Sequence, residues 1–133
     1  MGRLIAKLGS PINLSISNGT ILNQLIFHLA SATDAQNLAK NGVYRTASLD
    51  SEGFIHCCTA EQLPGVIQRY YADAQELTVL TIDPDALEAR LVFENTVGGA
   101  ELFPHVYGEI NQPAIRSDEV IGRQRILELA GSA

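Results

Sequence analysis

Residues 53–82, GFIHCCTAEQLPGVIQRYYADAQELTVLTI, decide how the chain folds. GFIHCC is a short apolar run carrying β-favouring residues, and it predicts a strand. Thr59 and Gln62, three apart, form a capping box that opens a helix reaching about Tyr71. Pro64 moves the helix start toward Leu63, where a proline in the first turn is tolerated. ELTVLTI, at 76–82, is the clearest strand in the chain, and Asp83-Pro84-Asp85 supplies turn chemistry to end it.

Outward from this unit, QLIFHLA at 24–30 predicts a buried strand. Thr33 and Gln36 predict a capped helix running to about Lys40, and Asn41-Gly42 supplies its left-handed stop. Residues 43–49 read as extended or looped, 89–94 as a strand, 97–99 as a turn and 114–121 as a last strand. LFPHVYG at 102–108, with proline and glycine bracketing a histidine, predicts a constrained loop. Residues 1–22 read as a loosely ordered leader with an edge strand at 12–16, 23–122 as a single domain and 123–133 as a tail or short helix. Strands and helices mix without a strict βαβ rhythm, which favours an α+β fold over a doubly wound one.

The composition narrows the function classes. Of 133 residues, 46% are hydrophobic and 18% charged, as in a domain that buries its apolar side chains. No apolar run approaches the roughly 20 residues needed to span a bilayer, and the N-terminal stretch lacks a secretory signal pattern. The net charge is −6, with nine basic residues spread singly, so no broad nucleic-acid surface is expected. Cys57 and Cys58 are adjacent and unsuited to an ordinary structural disulfide, which points to a cytoplasmic setting. A small-molecule nucleotide ligand is the better expectation.

All three histidines lie between apolar or aromatic neighbours, in IFHLA, GFIHCC and LFPHVYG. Such flanks predict partial burial, and a buried imidazole wants hydrogen-bond partners on both nitrogens. His28, His56 and His105 satisfy that requirement most simply by meeting in one polar pocket. Three separate core histidines, each bonded to backbone carbonyls, account for the same flanks.

The ordered set IFHLAS, Tyr44, Ser48-Leu49, EGFIHCCTAEQ and LFPHVYG closely resembles the domain-of-unknown-function 952 family over about residues 24–121. That family is in turn similar, more remotely, to the ADP-ribosyltransferase-like group, which includes the NAD-dependent RNA 2′-phosphotransferases. The resemblance implies an ADP-ribosyltransferase-like fold, a split mixed β-sheet with flanking helices. It implies NAD as a co-substrate, with no metal. IFHLAS resembles the strand whose histidine meets the ribose beside nicotinamide, which places His28 there. Tyr44 and His56 would flank the leaving ring, helped by Ser48 and Tyr107. His105 stands where many relatives carry a glutamate, and would act as acceptor, general base or phosphate binder. Glu52 is a candidate replacement carboxylate, and Arg45 and Arg69 are candidates for phosphate contact.

Two other classes fit the same residues. One is a pocket that binds a nucleotide or ADP-ribose without cleaving it. The other is a zinc site from His28, His56, Cys58 and His105, resting on His56 and Cys58 sharing one side of a continuous strand. A thiol nucleophile at Cys57 or Cys58 is weaker, because cysteines in apolar strands are usually inert.

Overall fold

The computed structural model describes residues 25–133. The leader expected over 1–22, with its strand at 12–16, lies outside the described residues. Nine strands and four α-helices follow in the described part: β1 (Ile26–Ala30), α1 (Ala32–Asn41), β2 (Val43–Tyr44), α2 (Ala47–Ser51), β3 (Ile55–His56), β4 (Cys58–Thr59), α3 (Leu63–Tyr70), β5 (Glu76–Ile82), β6 (Arg90–Glu94), β7 (Phe103–Tyr107), β8 (Ile110–Asn111), β9 (Ile115–Gly122) and α4 (Arg123–Gly131). The fold is α+β. No helix among the described residues is long and apolar enough to cross a membrane.

The strands form three sheets, ordered β4-β1-β5-β9, β3-β7-β6 and β2-β8. Every pairing among them is antiparallel, which corrects the expectation of a mixed sheet. The chain comes back into each sheet from the opposite end, without the crossover that parallel neighbours need. Alternation then splits the residues of β1 and β5 between two cores. Leu25, Phe27, Leu29, Leu77 and Val79 pack with Leu63 and Ile67 of α3 and Ile126 and Leu129 of α4. Ile26, Ala30, Leu80 and Ile82 pack with Leu38 of α1, Tyr44, Val106 and Ile110. A central sheet buried on both faces explains why IFHLA and ELTVLTI carry so little polar alternation.

Local signals set most boundaries. Ser31 caps α1 by accepting from the Asp34 amide at 3.1 Å, so the cap falls two residues before the expected Thr33. Ser31 has extended dihedrals directly after β1, and Thr33 already lies in the first helical turn. Gly42 ends α1 at φ 75°, a left-handed position suited to glycine. Thr59 and Gln62 make both bonds of their capping box, at 3.0 and 3.2 Å, with Pro64 in the first turn of α3. Residues 43–49, expected to be extended or looped throughout, contain the start of α2; this one-turn helix is too short to display an apolar period.

Two further corrections share one cause. Residues 53–58 are not one strand: β3 pairs with β7, and β4 pairs with β1. The expected loop at 102–108 contains β7, the middle strand of its sheet. The β3–β7 register runs Ile55 to Val106 and His56 to His105, which sets Cys57 opposite Pro104. The Cys57 amide donates to the Pro104 carbonyl at 3.0 Å. Proline has no N–H to return the second bond of that pair, so the ladder stops and the chain is released to the other sheet. A proline is tolerated in a middle strand here because the partner strand leaves at that rung. The two cysteines are left in different cores, Cys57 in one and Cys58 in the other.

Candidate functional site

The register that ends β3 also builds the site. His56 and His105 are direct cross-strand partners, with ring centroids 5.3 Å apart. Phe103, His105 and Tyr107 share a sheet face with their β6 partners Glu94, Val92 and Arg90. Phe54 stacks on the His105 ring at 4.1 Å and 17°, and meets the His56 ring edge-on at 4.8 Å. Ser48, at the head of α2, donates to the Phe54 carbonyl at 2.8 Å and so fixes the loop that carries this ring.

Each of these imidazoles has a carboxylate partner. His56 is exposed, and its Nε2 lies 3.1 Å from both oxygens of Glu52. His105 is buried, and its Nδ1 donates to Glu94 at 2.9 Å. The Tyr107 hydroxyl donates to the same Glu94 oxygen. These bonds, from Tyr107 first and His105 second, hold the Glu94 carboxyl below the usual carboxylate range. The same contact pushes the Tyr107 hydroxyl up. The Arg90 guanidinium lies 4.8 Å from the Tyr107 ring centre.

His28 sits differently. It is 8% exposed, on the face of β1 that joins the second core. Its Nδ1 lies 2.5 Å from the His56 carbonyl, which can only accept, so Nδ1 carries the proton. Nε2 is then the acceptor, and the Tyr44 hydroxyl donates to it at 2.8 Å. Burial pulls the His28 pKa down to about 4, against the raising effect of the His56 carbonyl. Burial likewise raises Tyr44, which has 0% exposure. Tyr44 therefore presents no face to a ligand, contrary to the role expected of it, and instead holds the His28 ring.

His56 and His105 line a hollow of about 430 Å³ together with Glu52, Cys57, Val66, Tyr70, Tyr71, Thr96, Val97 and Phe103. His56, Tyr71 and Val66 also border a space of about 70 Å³ that reaches His28. Beyond it, Ser31, Asp34, Thr46 and Ser48 line a hollow of about 380 Å³, again with His28 and Tyr71. The three histidine segments thus border one groove, with only His56 and His105 at its larger end. Tyr107 is not part of that lining; its hydroxyl is bonded to Glu94.

Sequence reasoning missed Phe54, Glu94, Tyr70 and Tyr71 as parts of the site. The signal for Glu94 was available in the matched alternation of Arg90, Val92 and Glu94 against Phe103, His105 and Tyr107. The alternation shows only when 103–107 is a strand, and Pro104 argues locally for a loop. Arg45 is bound to Asp50 and Glu109 at a separate polar hollow, outside the lining of the His56 hollow. The premise of the zinc reading does not hold, because His56 and Cys58 lie on different strands. Burial pushes the Cys58 thiol up to about 12 and raises Cys57 well above its ordinary value, so neither is a ready thiolate. Among the described residues, no group of three or more His, Cys, Asp or Glu side chains is placed to hold a metal ion.

Antiparallel sheets with flanking helices make this a small α+β protein. The chain belongs to the DUF952 family of proteins of unknown function, whose pattern matches residues 29–118. It is similar to the crystal structure of protein CC0527 from Caulobacter crescentus, with 24% identity, TM-score 0.64, and coverage of 72% of this chain and 84% of that one. The solution structure of CC0527 gives 24% identity and a TM-score of 0.62, covering 72% and 83% of the two chains. At these identities the likeness is one of fold. No curated protein matches the chain.

Proposed function

We propose that the chain is a divergent ADP-ribosyltransferase-like protein that takes NAD as substrate and transfers its ADP-ribose through the His56–His105 hollow. The observation that carries the reading is the pair of carboxylate-partnered imidazoles facing one aromatic-lined hollow. Cleaving the nicotinamide–ribose bond develops positive charge on the ribose, much as glycoside cleavage does. Glu52, beside His56, puts a carboxylate where that charge would form, and no lysine or arginine is among the described lining residues to oppose it. Tyr70, Tyr71 and Phe103 give the nicotinamide ring apolar surface, and a volume of about 430 Å³ suits a ligand of this size. Arg69, whose guanidinium lies 5.7 Å from the ring centre of the lining residue Tyr70, is the side chain we assign to the pyrophosphate. The free cysteines suit a cytoplasmic location.

His28 shapes this site from behind: its bond to the His56 carbonyl sets the strand that carries the His56 ring. Because both His28 nitrogens are used inside the fold, a second reading retains support. In it the groove binds NAD or ADP-ribose without breaking a bond.

Incubation of the purified protein with NAD separates the two. Transfer predicts free nicotinamide, absent from folded His56→Ala and His105→Ala variants. NAD binding without nicotinamide supports the second reading. Neither binding nor release overturns both.

A further inference from the structure

Resting on the transfer reading, we infer that Glu94 and Tyr107 are positioning residues that set His105 as a general base, and that the acceptor of ADP-ribose is therefore a hydroxyl group. A hydroxyl and a phosphate are two acceptor chemistries that fit ADP-ribosyl transfer. They differ in whether a proton must be removed. A phosphate is already anionic near neutral pH and attacks unaided, whereas an alcohol or water must lose its proton as the new bond forms.

The His105 environment is built for proton removal. Its Nδ1–H is committed to Glu94 at 2.9 Å, so in the neutral ring Nε2 carries the lone pair, on a side chain that lines the hollow. Phe54 lies flat on that ring at 4.1 Å and fixes its plane. Tyr107 donates to the same Glu94 oxygen and keeps the carboxylate from swinging away. A carboxylate that orients an imidazole and stabilises the imidazolium is the arrangement used to activate hydroxyl nucleophiles.

The step balances without a further reactant. The C1′–N bond of NAD breaks, and its electron pair neutralises the departing nicotinamide. The acceptor oxygen bonds to C1′, and its proton passes to His105 Nε2 and then to solvent.

Azide tests this, being a nucleophile with no proton to lose. In Glu94→Gln, transfer from NAD to water or glycerol is expected to fall about 10²- to 10⁴-fold. Added azide should restore nicotinamide release to nearly the wild-type rate, with ADP-ribosyl azide as product. Tyr107→Phe should show the same pattern more weakly, and it serves if Glu94→Gln fails to fold. A second readout needs no turnover: imidazole ¹⁵N spectra should show His105 protonated at Nδ1 alone in the wild type, and as mixed tautomers in Glu94→Gln. Equal losses with water and azide, no loss with either, or an unchanged tautomer would overturn the inference while leaving ADP-ribosyl transfer standing. A wild type that releases no nicotinamide with any acceptor removes the transfer reading, and the acceptor with it.

Discussion

Acidification from neutral pH to pH 4 is expected to remove about 3 kcal/mol of folding stability through His28 alone. The ring titrates near 6.5 when unfolded, and burial pulls it down to about 4 in the fold. Between those values the unfolded chain binds a proton that the folded chain refuses, so stability falls as pH falls. The slope is about 1.4 kcal/mol per pH unit across that window. Above 6.5 the contribution is fully present, and near pH 4 it is gone. Glu94 and Glu128 are also held below the usual carboxylate range, Glu94 by Tyr107 and His105 and Glu128 by Arg125 and Gln124, so what they add is lost on the acid side of the His28 change. Urea unfolding at half-unit steps from pH 7.5 to 4.5 measures the slope. His28→Gln lowers stability at every pH but should remove this component, because an amide does not titrate. A slope of the same size in that variant would show that the buried imidazole is not its source.

Phe54→Ala is expected to cost about 3–5 kcal/mol, the range for deleting a buried aromatic side chain. The ring is buried and touches three site residues, with centroids 4.1 Å from His105, 4.8 Å from His56 and 5.4 Å from Tyr107. Its removal opens a cavity beneath both imidazoles at once. Phe54→Leu separates packing from ring orientation. Most of the apolar volume stays, so the loss should remain under about 1.5 kcal/mol, while nicotinamide release still drops because nothing lies flat on His105. Chemical denaturation and the NAD assay read the two effects. A stability loss under 1 kcal/mol in Phe54→Ala would contradict the packing described for this ring.

Much of the frame was legible from local chemistry. ELTVLTI is β5 from end to end, Gly42 stops α1, and Thr59 with Gln62 closes the turn before α3. These signals act over a few residues, where propensity and capping decide the outcome. The rest depends on register between distant strands. Pro104 argued against a strand at 102–108, because a middle strand needs its amides. Only the departure of β3 at that rung removes the need, and nothing within LFPHVYG announces it. His56 and His105 face each other through strand register rather than through shared burial: the apolar flanks match the burial of His28 and His105, but His56 is exposed and bonded to Glu52. Glu94 as the His105 partner was not legible either, since a glutamate ending a strand looks solvated until its cross-strand neighbour is known. Tyr44 misled for a related reason. An aromatic with a hydroxyl reads equally well as a ligand platform or as the clamp on a buried histidine, and the choice turns on exposure.

A crystal structure after soaking with a non-hydrolysable NAD analogue tests the central claim most directly. The account predicts the nicotinamide ring against Tyr70, Tyr71 and Phe103, with its ribose between Glu52 and the His105 Nε2. Dinucleotide bound in the polar hollow around Arg45, with the His56–His105 space holding only solvent, would contradict it.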